Sequence, residues 1–196
     1  MKTRIVTDTI FARSLAALGA ILAASFVAAP VLAQDPDVRG SRDYADLPRV
    51  DGGRIRAYRT YDNAEILIPQ AGIHSRSDES EKTLKLQGAV RHSDYVIRPL
   101  RPAHEIDRYY ETALRNGGYE TVFTCSGISI CGSRMGSLIL NEGVVSPVGF
   151  ADGLFNDRLQ VRVARKGSTW VLLHMIQGPD RALVYQAVIE GARELE

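Results

Sequence analysis

A chain of 196 residues with 24 Lys+Arg, 23 Asp+Glu and a formal net charge of +1 has the length of one domain able to build its own core without a structural metal. It has no basic excess to neutralise phosphates, which argues against a nucleic-acid partner. There is no internal repeat and no low-complexity tract to suggest a solenoid or a tail.

Residues 1–33 have the three parts of a cleavable export signal. Lys2, Arg4 and Arg13 give a basic start, Ser14 to Pro30 is uncharged and rich in Ala, Leu, Ile and Val, and Val31-Leu32-Ala33 offers small residues for cleavage before Gln34. The apolar run is only seventeen residues, at the short edge of what spans a bilayer, so cleavage is expected rather than anchoring. A lipoprotein would need Cys at the position of Gln34. The expected product is a soluble periplasmic protein of residues 34–196 with no membrane span after signal cleavage. Removing Lys2, Arg4, Arg13 and Asp8 leaves 24 − 3 = 21 basic and 23 − 1 = 22 acidic residues, close to neutrality.

The stretch 34–53 is polar and interrupted by Pro36, Gly40, Pro48 and Gly52-Gly53, which predicts an irregular leader. A single α+β domain is expected over 54–196. Arg54 to Thr60 alternates with a period of two, and Glu65 to Pro69 is a second short strand closed by proline. Ala71 to Glu81 is crowded with polar residues and predicts an exposed loop. Lys82 to Pro99 is strand-like with a bulge or bend at Gly88.

Pro102 opens the one long helix predicted after the signal, Ala103 to Asn116. Ile106, Tyr109, Tyr110, Ala113 and Leu114 lie on one stripe, and Gly117-Gly118 stops it. Tyr119 to Thr124 returns to strand and runs into Cys125-Ser-Gly-Ile-Ser-Ile-Cys131. Gly132 to Asn156 is glycine-rich around Leu138-Ile-Leu140, with no decided structure. Arg158 to Ala164, Ser168 to Gln177 and Ala182 to Glu190 are strands joined by short turns, an antiparallel meander. The predicted architecture is α+β: an antiparallel sheet of about six or seven strands with one main helix packed on one face.

Several segments resemble the DUF4892 family: the opening Asp37-Val-Arg-Gly-Ser41-Arg-Asp43, the helical Tyr110-Glu-Thr-Ala-Leu114, the strand Gly118-Tyr-Glu-Thr-Val-Phe-Thr-Cys125, and the closing Tyr185 to Glu190. The resemblance spans nearly all of the expected mature chain. It implies an exported bacterial domain of unknown function, found in some members fused to an OmpA-like peptidoglycan-binding domain. These 196 residues hold no OmpA-like part, so peptidoglycan attachment does not carry over, and the family offers no catalytic residues to transfer.

In an oxidising compartment, Cys125 and Cys131 predict a local disulfide worth about 2 kcal/mol. Five intervening residues depart from the Cys-x-x-Cys spacing of a redox thiol. No His or Cys pair has metal-ligand spacing. His74 with Asp78, Glu79 and Glu81 reads as a solvated loop, and His104 with Glu105 and Asp107 as first-turn polarity of the helix. Asp107 and Glu111, beside Arg108 and Arg115, read as surface ion pairs. Gly127-Ile-Ser129-Ile-Cys131 lacks the second glycine of a nucleophile elbow. No catalytic residues, metal or cofactor are therefore assigned.

The candidate binding feature is the cysteine loop, where Ser126, Ser129, Ser133 and Arg134 stand among Gly127, Gly132 and Gly136. A stapled loop of this kind would display hydroxyls and one cation. The predicted function is a non-catalytic binding or support module of the cell envelope, meeting an envelope protein or a cell-wall component through its sheet edge or through this loop. The alternative is a small periplasmic enzyme, hydrolytic in type, in which the fold joins His174 to Asp152 or Asp157.

Overall fold

A computed structural model of the protein describes residues 36–140 and 157–195. The described residues belong to one compact unit within Asp35–Glu196. The expected signal and Asp152 lie outside the described residues.

Six strands form one antiparallel sheet: β1 (Gly53–Pro69), β2 (Thr83–Ile97), β3 (Glu120–Ser126), β4 (Leu159–Lys166), β5 (Thr169–Gln177) and β6 (Ala182–Glu194), in the spatial order β1-β2-β6-β5-β4-β3. Helices are few among the described residues: α1 (Asp78–Glu81), α2 (Ala103–Asn116), α3 (Gly127–Cys131) and α4 (Met135–Leu140). The predicted meander is present as β4, β5 and β6. The β2–β6 pairing, with His92 opposite Ala187 and Asp94 opposite Tyr185, joins the two halves of the chain into one sheet.

The two strands expected at 54–60 and 65–69 are one strand. Asp62 and Asn63 fall in a register shift between Tyr61 and Ala64, so polar residues interrupt the alternation without ending the pairing with β2. Gly88 falls at the register shift between Gln87 and Ala89 against β6. The expected loop 71–81 contains the single turn α1, and the undecided segment after Gly132 begins with α4.

Helix α2 starts after Pro102, whose φ of −58° is compatible with entry into a helix. It ends where the N–H of Tyr119 donates to the carbonyl of Leu114 at 2.9 Å and that of Gly118 to Arg115 at 3.1 Å, meeting carbonyls the helix leaves unpaired.

Alternation along β5 divides the core in two. Trp170, Leu172 and Ile176 belong to a cluster with Cys125, Cys131, Met135, Leu138 and Ile139. Val171, Leu173 and Met175 belong to another, with Ile106, Tyr110 and Leu114 of α2 and with Leu47 and Val50 of the leader. The period of two thus sends alternate β5 side chains to opposite faces of the sheet.

One expectation about α2 needs correction. Asp107 does not pair along its own helix but meets Arg162 of β4 in two parallel bonds, Nε to Oδ1 at 2.8 Å and Nη2 to Oδ2 at 2.8 Å. Arg162 is only 5% exposed, so this pair is largely removed from water. Thr121 of β3 accepts a further bond from Arg162 at 3.2 Å.

Candidate functional site

The cysteine loop is a clasp between two parts of the chain. β3 brings Cys125 alongside Val161 of β4, and α3 turns back so that Cys125 and Cys131 form a disulfide with Cα atoms 5.2 Å apart. Both sulfur-bearing residues are buried, among apolar neighbours that keep reductant away. The loop then grips the segment after β1. The Ile73 N–H donates to the Cys131 carbonyl at 2.8 Å, and the Arg134 N–H donates to the Ile73 carbonyl at 2.9 Å.

Gly132 makes this approach possible. Its φ is +89°, and a Cβ there would lie 2.0 Å from the Ile73 carbonyl oxygen. Only a residue without a side chain fits both the backbone angle and the contact.

The structure engages the loop's cation. Arg134 donates through Nε to Glu79 Oε1 at 2.7 Å, tying the start of α4 to α1. Near it, the Asp78 carboxylate accepts from the His74 and Ser75 N–H groups at 2.7 and 3.1 Å and from Lys82 at 3.1 Å. Those bonds, the His74 N–H first, hold its carboxyl down at about 2. This acidic loop is ordered by its own backbone, and among the described residues no three His, Cys, Asp or Glu side chains gather to hold a metal ion.

Of the candidate binding residues, Ser126 is exposed and its Oγ accepts a bond from Gln160 at 2.7 Å. Ser129 and Ser133 are exposed on the outer side. Between them stands Ile130, 62% exposed. Composition gave no reason to single out Ile130, because its exposure depends on the turn of α3 that buries Cys131 instead.

The described part of the enzyme alternative is spread out. His174 lies opposite Val161 in the β4–β5 register, while Asp157 precedes β4 and accepts the Ile128 N–H at 3.3 Å. Asp157 is four residues before Val161 in the chain and outside β4, up to about 13 Å along an extended backbone.

A polar row that single-strand patterns did not reveal crosses the sheet instead. Arg56 of β1 donates to Asp94 of β2 at 2.6 Å, Asp94 lies opposite Tyr185 of β6, and Tyr185 lies opposite His174 of β5. The Tyr185 hydroxyl shares a 2.7 Å hydrogen bond with His92 Nδ1. Burial, with Asp94 adding to it, keeps the Tyr185 hydroxyl protonated far above the ordinary tyrosine range. The available sequence signal was the shared parity of His92 and Asp94 with the apolar Leu84, Leu86, Val90 and Val96 of the same strand.

Burial also pushes the His174 imidazole down from 6.5 to about 3. The unfolded chain therefore takes up this proton first as pH falls. Stability is unaffected by His174 above about pH 6.5 and declines below it towards about pH 3, by up to about 1.4 kcal/mol per pH unit. Urea midpoints measured at about pH 7 and about pH 5 are expected to show that decline, and His174→Leu is expected to reduce it.

Replacing Cys125 and Cys131 together with Ala is expected to lower stability by about 2 kcal/mol in urea unfolding. Thiol titration of the unfolded, unreduced wild-type protein should find no free cysteine.

No family model matches the chain, and no curated protein matches it.

Proposed function

We propose that this chain is an exported periplasmic protein, cleaved after Ala33, whose DUF4892-like α+β domain carries α2 as the main helix across one face of its sheet. It acts as a non-catalytic binding or support module of the cell envelope. Its docking element is the cysteine clasp, and its partner an envelope protein or a cell-wall component.

The observation that carries this reading is Ile130, the large hydrophobic that stands 62% exposed on a loop held by a disulfide, by two backbone bonds to Ile73 and by the Arg134–Glu79 pair. A rigid loop loses little conformational freedom on binding, and an exposed apolar side chain with flanking hydroxyls suits the centre of a small interface. The disulfide fits an oxidising compartment, and no helix among the described residues is long and apolar enough to cross a membrane.

Crosslinking followed by mass spectrometry of the periplasmic fraction tests the reading. A protein that starts at Gln34, lacks free thiols and is crosslinked through residues 126–134 is expected. A protein that starts at Met1 in the cytoplasm, or crosslinks absent from this loop, would count against it.

A further inference from the structure

The sheet ends in two edge strands, β1 and β3, and the chain treats them differently. An edge strand offers a row of unpaired N–H and C=O groups to any extended backbone, and folded monomers blunt such rows with charges, prolines, bulges or a covering segment. β1 carries all four. Arg54, Arg56, Arg59, Asp62 and Glu65 charge it, and Pro69 closes it. Its register against β2 shifts twice, between Ile55 and Ala57 and between Tyr61 and Ala64. The leader covers its start, where the Asp37 carboxylate accepts the Ile55 N–H at 2.8 Å and the Val38 N–H donates to the Ile55 carbonyl at 3.0 Å.

β3 has little of this protection. Its charge is confined to Glu120, the first residue, and Thr121-Val-Phe-Thr-Cys-Ser126 is neutral, without proline and rich in residues that favour strands. A register shift between Thr121 and Phe123 leaves Phe123 to Ser126 in unbroken step with β4. Glu120, Thr121, Val122, Thr124 and Ser126 are exposed, Val122 at 40%. Among the described residues, no segment other than β4 and the turn into α3 bonds to the β3 backbone.

We propose that β3 pairs antiparallel with the β3 of a second copy of this chain, about a two-fold axis normal to the sheet, so that the two sheets continue into one. A contact of this symmetry requires a segment complementary to itself, and β3 is one. With Thr124 on the axis, Thr124 faces its own copy, Phe123 faces Cys125 and Val122 faces Ser126. Directly opposite side chains share a face, which keeps Phe123 and Cys125 of both copies on the cysteine side. Thr–Thr neighbours across strands are favourable and like charges directly opposite are not. The two Glu120 carboxylates, each four positions from the axis, lie about 27 Å apart.

The same pairing through β1 would have to displace the bonds to Asp37 and Val38. Seven residues make a small interface, below the size of an obligate dimer, so the association is of micromolar strength and depends on concentration. It forms between copies of this chain alone and does not depend on the partner of the cysteine clasp.

Sedimentation velocity on the purified exported protein, from about 1 to about 200 μM, tests the proposal. Monomer is expected at the low end and dimer at the high end. Thr124→Lys sets two like charges opposite each other on the axis and is expected to raise the dissociation constant at least tenfold. Val122→Lys, further from Arg162, is expected to do the same, with urea midpoints showing that each variant is folded. Thr60→Lys, exposed on β1, should leave dimerisation unchanged. Hydrogen exchange of the Phe123–Ser126 amides is expected to slow as concentration rises, while that of β1 does not. The proposal is overturned by a monomer throughout the range, or by a dimer as tight in both β3 lysine variants as in wild type. It is equally overturned by β3 amides already fully protected in the monomer, which would mean that another part of the chain covers this edge.

Discussion

Replacing Gly132 with Ala is expected to destabilise the protein by roughly 3–5 kcal/mol, a loss at the upper end for one methyl group. Two effects add. The φ of +89° disfavours any residue with a Cβ, and that Cβ would meet the oxygen, carbonyl carbon and nitrogen of Ile73 at 2.0, 2.2 and 2.7 Å. Backbone atoms cannot swing aside as a flexible side chain can, so the clasp must open or the 72–74 segment must shift. Gly167, in the β4–β5 turn, is the control: its φ is +58° with nothing within 4 Å of a built Cβ. Gly167→Ala should cost only the backbone preference, about 1–2 kcal/mol. Urea unfolding of both variants separates contact from conformation, and equal losses would mean the clasp is not tight.

The second large effect is expected at Asp107→Asn. Arg162 is 5% exposed, and the carboxylate opposite it is 14% exposed, so neutralising Asp107 strands a largely buried cation. The expected loss is roughly 3–5 kcal/mol in urea unfolding. Glu111 approaches Arg162 at 3.8 Å but is half exposed, which makes it a poor substitute. The double variant Asp107→Leu with Arg162→Met removes both charges and should be much closer to wild type, since desolvating the pair offsets much of its attraction. A double variant as unstable as Asp107→Asn would show that the cost comes from packing rather than from the unmatched charge.

The parts of this fold written in short-range pattern were legible from the residues. The stripe of Ile106, Tyr110 and Leu114, the stop at Gly117-Gly118 and the tight turns of the β4–β5–β6 meander each involve neighbours within a few positions. The features that escaped depend on distant partners. Asp107 looked like one member of a helical ion-pair ladder because Arg162 is 55 residues away. The β1 strand looked like two because Asp62 and Asn63 break the alternation, and only pairing with β2 carries the strand through them.

The same limit applies to the sites. Spacing placed Cys125 and Cys131 in one loop and drew attention to Ser129, Ser133 and Arg134. That Arg134 is taken by Glu79, and that Ile130 stands outermost, follows from how α3 and α4 pack against the Ile73 segment.

The central claim, that the cysteine clasp is the surface through which this protein meets its envelope partner, is tested most directly by photocrosslinking in cells. A photoreactive amino acid is placed at Ile130 in one strain and at Tyr61, an exposed residue of the opposite edge strand, in another. The account predicts a discrete crosslinked product from position 130 that is absent from position 61 and is lost when Cys125 and Cys131 are replaced. Equal crosslinking from both positions, or none from position 130, would contradict it.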